Sequence, residues 1–144
     1  MEISSFFQFI QKGYNPLLAL TALVSGGMLL WPLLRRSTGG PWVDAARAIQ
    51  LINREDALVL DVREPTEYDA GHVLGAKNLP LGSLEARAGE LDKHKTKPVI
   101  VLCGSEGTRA SKAAAMLREK GFAKVVSLSG GFPAWQQAGL PVVK

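Results

Sequence analysis

The feature that most constrains this chain is an alternation of aliphatic runs and helical spacing over residues 42–144. "ALVLDV" (57–62), "PVIVLC" (98–103) and "KVVSLSGG" (124–131) contain short aliphatic runs of the kind found in strands buried on both faces of a sheet. Amphipathic helical patterns lie between them. Because such strands pair in parallel, the segment predicts an α/β fold with a mostly parallel sheet covered by helices on both faces.

The helices and shorter elements are predicted from spacing and turn signals. Ala45, Ala48, Ile49 and Ile52 fall on one helix face, with Asp44 as the expected N-cap. The other predicted elements are a turn with a one-turn helix over "REPTEYDAGH" (63–72), a weak strand at Ala76–Leu79, a helix capped by Ser83 and running through Leu84, Ala88 and Leu91, a helix through Ala110, Ala113, Ala114 and Leu117 ended by Gly121, and a short helix over "FPAWQQAG" (132–139) closed by Gly139.

A second feature is the uncharged stretch "GYNPLLALTALVSGGMLLWPLL" (13–34). From Pro16 to Leu34 it has 19 residues, which as a helix would extend roughly 28 Å, close to the thickness of a bilayer core. Tyr14 and Trp31 lie near its ends, where aromatic residues favour the membrane interface. The stretch predicts a transmembrane helix at about 16–34, within a membrane anchor formed by residues 1–36.

The flanking charges favour a retained anchor over a cleaved signal peptide or a buried core helix. Only Glu2 and Lys12 precede the apolar core, Arg35 and Arg36 follow it, and no small-residue cleavage pattern is present. By the positive-inside rule, we expect the two arginines and everything after them on the cytoplasmic side. Residues 37–41, rich in small residues, glycine and proline, are predicted to be a linker.

Composition excludes several classes of partner and cofactor. The chain has 17 Lys+Arg and 13 Asp+Glu, a net charge of +4, without a basic run interleaved with aromatic residues, so nucleic acid is not an expected partner. The single cysteine, Cys103, rules out an internal disulfide, in keeping with a reducing compartment. Cys103, His72 and His94 do not have the spacing of a metal site, so no metal or other cofactor is expected.

Cys103 lies where the strongest predicted strand ends and a loop and helix begin. Sites in parallel sheets form beyond the carboxyl ends of strands, and consecutive N–H groups at a helix start bind anions and stabilise a thiolate. Arg109 can donate two hydrogen bonds to an oxyanion, whereas Glu106 opposes an anionic ligand. This pattern leaves two interpretations open: an ionised, accessible nucleophile, or a small buried residue that completes a strand.

Three segments, in order, resemble the rhodanese-like domain family over nearly all of residues 42–144. "LDVREPTEYDAGHVLGAKNLPLGSL" (60–84) resembles its first signature, and "LSGGFPAWQQAGLPV" (128–142) resembles its closing segment. "VIVLCGSEGTRASKAAAMLREKGF" (99–122) resembles its active-site strand, loop and helix. With the N-terminal anchor, the chain resembles bacterial single-domain rhodanese-like proteins held in the inner membrane by one transmembrane helix.

The resemblance implies a three-layer fold around a mostly parallel, five-stranded sheet, and a sulfurtransferase activity. Cys103 would accept sulfane sulfur from a small donor, thiosulfate or a persulfide, and pass it from a persulfide to a thiol acceptor, without a metal. Carried over by position, the residues expected to bind the substrate or its anion are Gly104, Ser105, Glu106, Gly107, Thr108 and Arg109.

The loop departs from the family pattern, which supports two alternatives. Five residues separate Cys103 from Arg109, where the usual loop has four. This longer spacing resembles dual-specificity phosphatases and arsenate reductases, although Leu102 stands where those phosphatases carry His. The other alternative is a docking module at the membrane with little turnover, bound to a membrane protein partner.

Residues outside the loop are given supporting or structural roles. Asp61 is expected to line the site, and Arg63 to form an ion pair with Glu67 that orders the turn. His72 is interpreted as structural. His94 is expected on the surface and Trp135 in the core.

Overall fold

A computed structural model describes residues 5, 8, 16–36, 40–105 and 107–144. The chain divides into two compact units, residues 1–37 and residues 38–144. Tyr14, the predicted interfacial aromatic residue, and Glu106, a predicted anion-binding residue, lie outside the described residues.

The N-terminal unit contains helix α1, Pro16–Arg36. Two of its hydroxyl groups bond within the helix: the Thr21 hydroxyl donates to the Leu18 carbonyl oxygen at 2.9 Å and the Ser25 hydroxyl to the Thr21 carbonyl oxygen at 2.6 Å. No helix in the part of the chain that the structure describes is long and apolar enough to cross a membrane, so the predicted transmembrane span is not confirmed. The exposed large apolar side chains of α1 are Leu17, Leu18, Leu20, Leu23, Val24, Met28, Leu29, Leu30 and Trp31.

The second unit is built on a five-stranded sheet of β1 Trp42–Val43, β2 Leu58–Asp61, β4 Lys77–Asn78, β5 Pro98–Leu102 and β6 Lys124–Leu128. The strands lie in the order β1-β6-β5-β2-β4, and every neighbouring pair is parallel. This confirms the predicted α/β fold with a mostly parallel five-stranded sheet. The strongest aliphatic run, β5, lies at the centre and is buried along its whole length.

Helices cover both faces of the sheet and make three layers. One face packs against α4 and α5 in a core that includes Leu60, Val101 and Cys103, and the other packs against α2 and α6 through Val59 and Ile100. Successive strand residues alternate between the two cores, as strand geometry requires. The helices are α2 Ala45–Glu55, α3 Pro65–Ala70, α4 Leu81–Arg87, a 3₁₀ helix Ala88–His94, α5 Gly107–Glu119 and α6 Gly131–Gln137.

The predicted Asp44 cap is confirmed, the predicted Ser83 cap is wrong, and one pair of strands was not predicted. Asp44 caps α2 by accepting the Arg47 N–H at 2.7 Å, as predicted. Ser83 is not an N-cap, because α4 begins earlier, after Pro80, whose carbonyl oxygen accepts the Ser83 N–H at 2.9 Å. The antiparallel pair β3 (His72–Val73) and β7 (Val142–Val143) was not predicted, since two-residue strands leave no periodicity in a sequence.

Candidate active site

The candidate site is centred on Cys103, the first residue after β5. The Val62 N–H donates to the carbonyl oxygen of Leu102 at 2.9 Å, so the ends of β2 and β5 are joined directly beside the cysteine. Cys103 is in the core formed with α5 and is 1% exposed. Of the two interpretations of Cys103, this burial favours the small residue that completes a strand.

The surroundings of the sulfur also raise the pKa of the thiol. Burial raises the pKa of Cys103, and the charge of Asp61 raises it further, while a hydrogen bond from the Ala110 N–H and the charges of Arg109 and Arg63 lower it without overcoming burial. The sulfur donates to the Gly104 carbonyl oxygen at 3.3 Å. Desolvation therefore outweighs the helix start and the nearby cations in setting the pKa of this thiol.

A backbone contact to the sulfur comes from a residue of α5 that the sequence interpretation missed. Ala110, in the first turn of α5, donates its N–H toward Cys103. Among the residues predicted to form the cradle, Ser105 and Thr108 are exposed, and Gly104 and Gly107 are half-buried. Only the position of Ala110 in the first helical turn could have indicated its role.

The closing glycine turn packs directly on the cysteine loop. The Phe132 N–H donates to the carbonyl oxygen of Cys103 at 2.9 Å. Gly131 has a φ of +61°, and a Cβ there would lie 1.9 Å from the carbonyl oxygen of Gly104. Only glycine permits this approach, so the "GG" of the closing segment holds the cysteine loop in position.

A buried ion pair lies beside the loop, at the end of β2. Arg63 donates to both carboxylate oxygens of Asp61 at 2.7–3.1 Å, and to the carbonyl oxygen of Gly71 at 2.8 Å. Its guanidinium carbon lies 4.0 Å from the centre of the Phe132 ring. Arg63 therefore connects β2, the end of α3 and α6. The predicted ion pair between Arg63 and Glu67 is wrong.

Glu67 instead pairs with the predicted anion-binding arginine. Arg109 Nη1 lies 3.6 Å from Glu67 Oε2, and the two side chains are 39% and 42% exposed. The pair joins the first turns of α3 and α5 beside Cys103. Asp61, predicted to line the site, is fully buried, and Arg63 occupies its carboxylate.

The family is decided by comparison with known proteins. A model of the rhodanese-like domain matches residues 44–138, which include the first signature, the cysteine loop and most of the closing segment. The chain belongs to the rhodanese-like domain family.

Relatives of this rhodanese-like chain include proteins with sulfurtransferase names. YibN of Escherichia coli (strain K12), an uncharacterized protein, is 41% identical over 103 residues, which cover 71% of this chain and 71% of YibN. The thiosulfate sulfurtransferase GlpE of Pseudoalteromonas translucida is 33% identical over 96 residues, 67% of this chain and 89% of GlpE. The crystal structure of a rhodanese-related protein from Thermoplasma volcanium has a TM-score of 0.63 at 31% identity, covering 72% of this chain and 98% of that one.

The remaining predicted residues of the rhodanese-like domain have structural contacts. His72 Nδ1 lies 2.9 Å from the Tyr68 carbonyl oxygen and therefore carries the proton, and its ring stacks on that of Tyr68 at 3.8 Å. Trp135 is 3% exposed and donates Nε1–H to Pro141, as a core residue should. His94, predicted on the surface, is half-buried; burial and then the neighbouring lysines lower its pKa.

Trp42 is a further residue at the site that the sequence interpretation missed. It is 41% exposed on the edge strand β1, and a Cβ added at Gly107 would lie 2.9 Å from its Cη2. The indole ring therefore covers the first residue of α5. An aromatic residue after a linker gives no sequence signal of this contact, since the contact depends on the pairing of β1 with β6.

Proposed function

We propose that this rhodanese-like domain is a sulfurtransferase that carries sulfane sulfur on Cys103 as a persulfide. The observation that carries the proposal is the place of Cys103 directly after the central strand, with the Ala110 N–H donating to its sulfur. A donor amide and a nearby arginine stabilise negative charge on this atom, which both the attacking thiolate and the persulfide carry. The sulfurtransferase name of a relative that is 33% identical supports the same assignment.

The reaction begins when Cys103 loses its proton to solvent. The thiolate attacks the outer sulfur of the donor, forming a Cys103 S–S bond while the donor's own S–S bond breaks. With thiosulfate, the bonding electron pair leaves on sulfite, and the products are a Cys103 persulfide anion and sulfite. An acceptor thiolate then attacks the outer sulfur of the persulfide and regenerates the Cys103 thiolate.

Burial of the sulfur means that the loop must open before the donor reaches it. Cys103 is 1% exposed, but the residues that follow it, Gly104 and Ser105, are half-buried and exposed. Movement of these residues and rotation of the Cys103 side chain would expose the sulfur without disturbing β5. Approach of water and of the donor would also lower the desolvation cost that raises the pKa of the thiol.

The decisive experiment assays the full-length chain with thiosulfate and cyanide, beside Cys103→Ser. Thiocyanate is expected only from the native chain, and mass spectrometry should find an adduct of about 32 Da on Cys103 that reduction removes. Equal thiocyanate from both proteins would contradict the proposal. An aryl phosphate in a parallel assay tests the phosphatase interpretation of the longer loop, which predicts hydrolysis that depends on Cys103.

A second candidate is a docking module with little turnover, and the burial of Cys103 favours it. A core thiol with a raised pKa is what a cysteine that only completes a strand would show. In that case iodoacetamide would modify Cys103 of the folded chain no faster than global unfolding allows. Modification faster than unfolding would instead support the loop opening that catalysis needs.

We also propose that α1 attaches the domain to the inner membrane, with residues 42–144 in the cytoplasm. The exposed apolar side chains of α1, among them Leu23 and Leu30, support membrane contact, and the following arginines support the orientation. The full chain should fractionate with membranes, and Leu23→Lys with Leu30→Lys should release it. The exposed Thr66→Lys with Thr96→Lys adds the same charge and should not.

Protease access tests the orientation and whether α1 crosses the membrane. Cytoplasmic placement predicts that residues 42–144 are digested only after the inner membrane is permeabilised. Release of the native chain by a high-salt wash would contradict apolar attachment, because screening removes ionic but not apolar contacts.

A further inference from the structure

Among the described residues near Cys103, Arg109 forms an ion pair with Glu67, a carboxylate that has no part in the proposed reaction. Arg109 Nη1 and Glu67 Oε2 are 3.6 Å apart, and both side chains are about two-fifths exposed. The pair is therefore open to solvent and to ligands. It differs from the buried pair of Asp61 and Arg63, which holds the fold together.

The Glu67 carboxylate is held in place by the backbone. The Glu64 N–H donates to Glu67 Oε2 at 3.0 Å, at the start of α3. This is the same oxygen that faces Arg109, so the carboxylate would stay in place even if Arg109 turned toward a ligand. An anion approaching Arg109 therefore meets a fixed negative charge.

The positive charge of Arg109 acts on the reacting sulfur. It is among the causes that lower the pKa of Cys103, although burial outweighs it. The negative charge of Glu67 next to Arg109 weakens the attraction of Arg109 for any anion that binds at the same place. Among the described residues near Cys103, the Arg109–Glu67 pair has no net charge, and neither has the buried Asp61–Arg63 pair.

We infer that Glu67 selects the sulfur donor by its charge. It disfavours dianions such as thiosulfate and favours persulfides of thiols that carry little negative charge. The inference rests on the proposed function and names the class of its substrate. In that transfer the Cys103 thiolate attacks the outer sulfur of R–S–SH, the S–S bond of the donor breaks, and the R–S thiolate leaves with the electron pair. A leaving thiolate takes a proton from solvent and needs no cationic site.

Glu67→Gln isolates the charge, because the amide oxygen can still accept the Glu64 N–H. The matched control is Asp69→Asn, an exposed position of the same helix α3 that changes net charge equally. Two donors that differ in charge but both release a sulfur oxyanion are compared: thiosulfate (a dianion) and benzenethiosulfonate (a monoanion). Electrostatic energy scales with charge, so Glu67→Gln should lower KM about fivefold for thiosulfate and about twofold for benzenethiosulfonate, with kcat unchanged.

An equilibrium arm separates this inference from the proposed function. Thiosulfate binding to the full-length Cys103→Ser chain is measured by calorimetry with and without Glu67→Gln, and it should tighten by about the same fivefold factor, less in high salt. Absence of turnover with tighter binding would overturn the proposed sulfurtransferase but keep the role of Glu67. Turnover with unchanged or undetectable binding in Glu67→Gln, or an equal effect of Asp69→Asn, would overturn the role of Glu67.

Discussion

The Phe132 N–H donates to the carbonyl oxygen of Cys103 at 2.9 Å, which ties the end of β5 to the start of α6. The preceding residue, Gly131, makes this contact possible, because its φ of +61° and its missing side chain allow it to lie against Gly104. The position of the cysteine loop thus depends on a turn about thirty residues further along the chain.

Gly131→Ala should destabilise the domain and displace the loop. The added Cβ would lie 1.9 Å from the Gly104 carbonyl oxygen, and the left-handed backbone adds strain. Gly139→Ala is the matched control, since Gly139 has a φ of +69° with nothing within 4 Å. We expect the control to lose about 1–2 kcal/mol of unfolding free energy and Gly131→Ala about 1–3 kcal/mol more, measured by urea unfolding. Equal losses would mean that the close approach is not required.

Removing one partner of the buried ion pair should be far more costly than removing both. Arg63→Met leaves the fully buried Asp61 carboxylate without its partner, and we expect a loss of about 3–5 kcal/mol. Asp61→Asn combined with Arg63→Met leaves no buried charge and should lose less than the single variant. Arg87→Met, which breaks an exposed pair with Glu90, should leave the unfolding midpoint nearly unchanged. A double variant less stable than Arg63→Met would contradict this account.

Alkylation of Cys103 should require a higher pH in the folded chain than in the unfolded chain. Burial raises the pKa of the thiol in the folded state, so at a given pH the folded chain holds less thiolate than the unfolded chain. The measurement is the iodoacetamide rate against pH, with the chain in denaturant as the reference. By linkage, the stabilising contribution is complete below the unfolded pKa and is lost as pH rises through the folded one. If the apparent pKa of alkylation in the folded chain were at or below that of the unfolded chain, the cations and the Ala110 amide would outweigh burial.

The sequence predicts the layers of this domain well because its strongest signals are local. β5 is a continuous aliphatic run, and Asp44 has the type and position of a helix cap, so both are confirmed. The state of Cys103 is not predictable in this way, since its burial and pKa depend on Ala110 and on neighbouring strands that only the fold brings together. The predicted partner of Arg63 was wrong for a related reason. Glu67 follows Arg63 by four residues in the sequence, whereas the Arg63 side chain turns back to Asp61 at the end of β2.

Gly107→Ala should shift the Trp42 ring and destabilise the contact between β1 and the start of α5. The new Cβ would lie 2.9 Å from Trp42 Cη2, which is too close, so the ring must move or α5 must retreat. We expect a change in tryptophan emission and a loss of stability that Trp42→Phe largely relieves, giving a coupling energy of about 0.5–3 kcal/mol in a double-mutant cycle. The other tryptophans emit as well, so Gly107→Ala is also measured in the Trp42→Phe background, where the emission change should disappear. Additive losses of stability would show that the ring and the helix start do not depend on each other. Coupling would show that the edge strand helps to position the helix whose first-turn amide reaches Cys103.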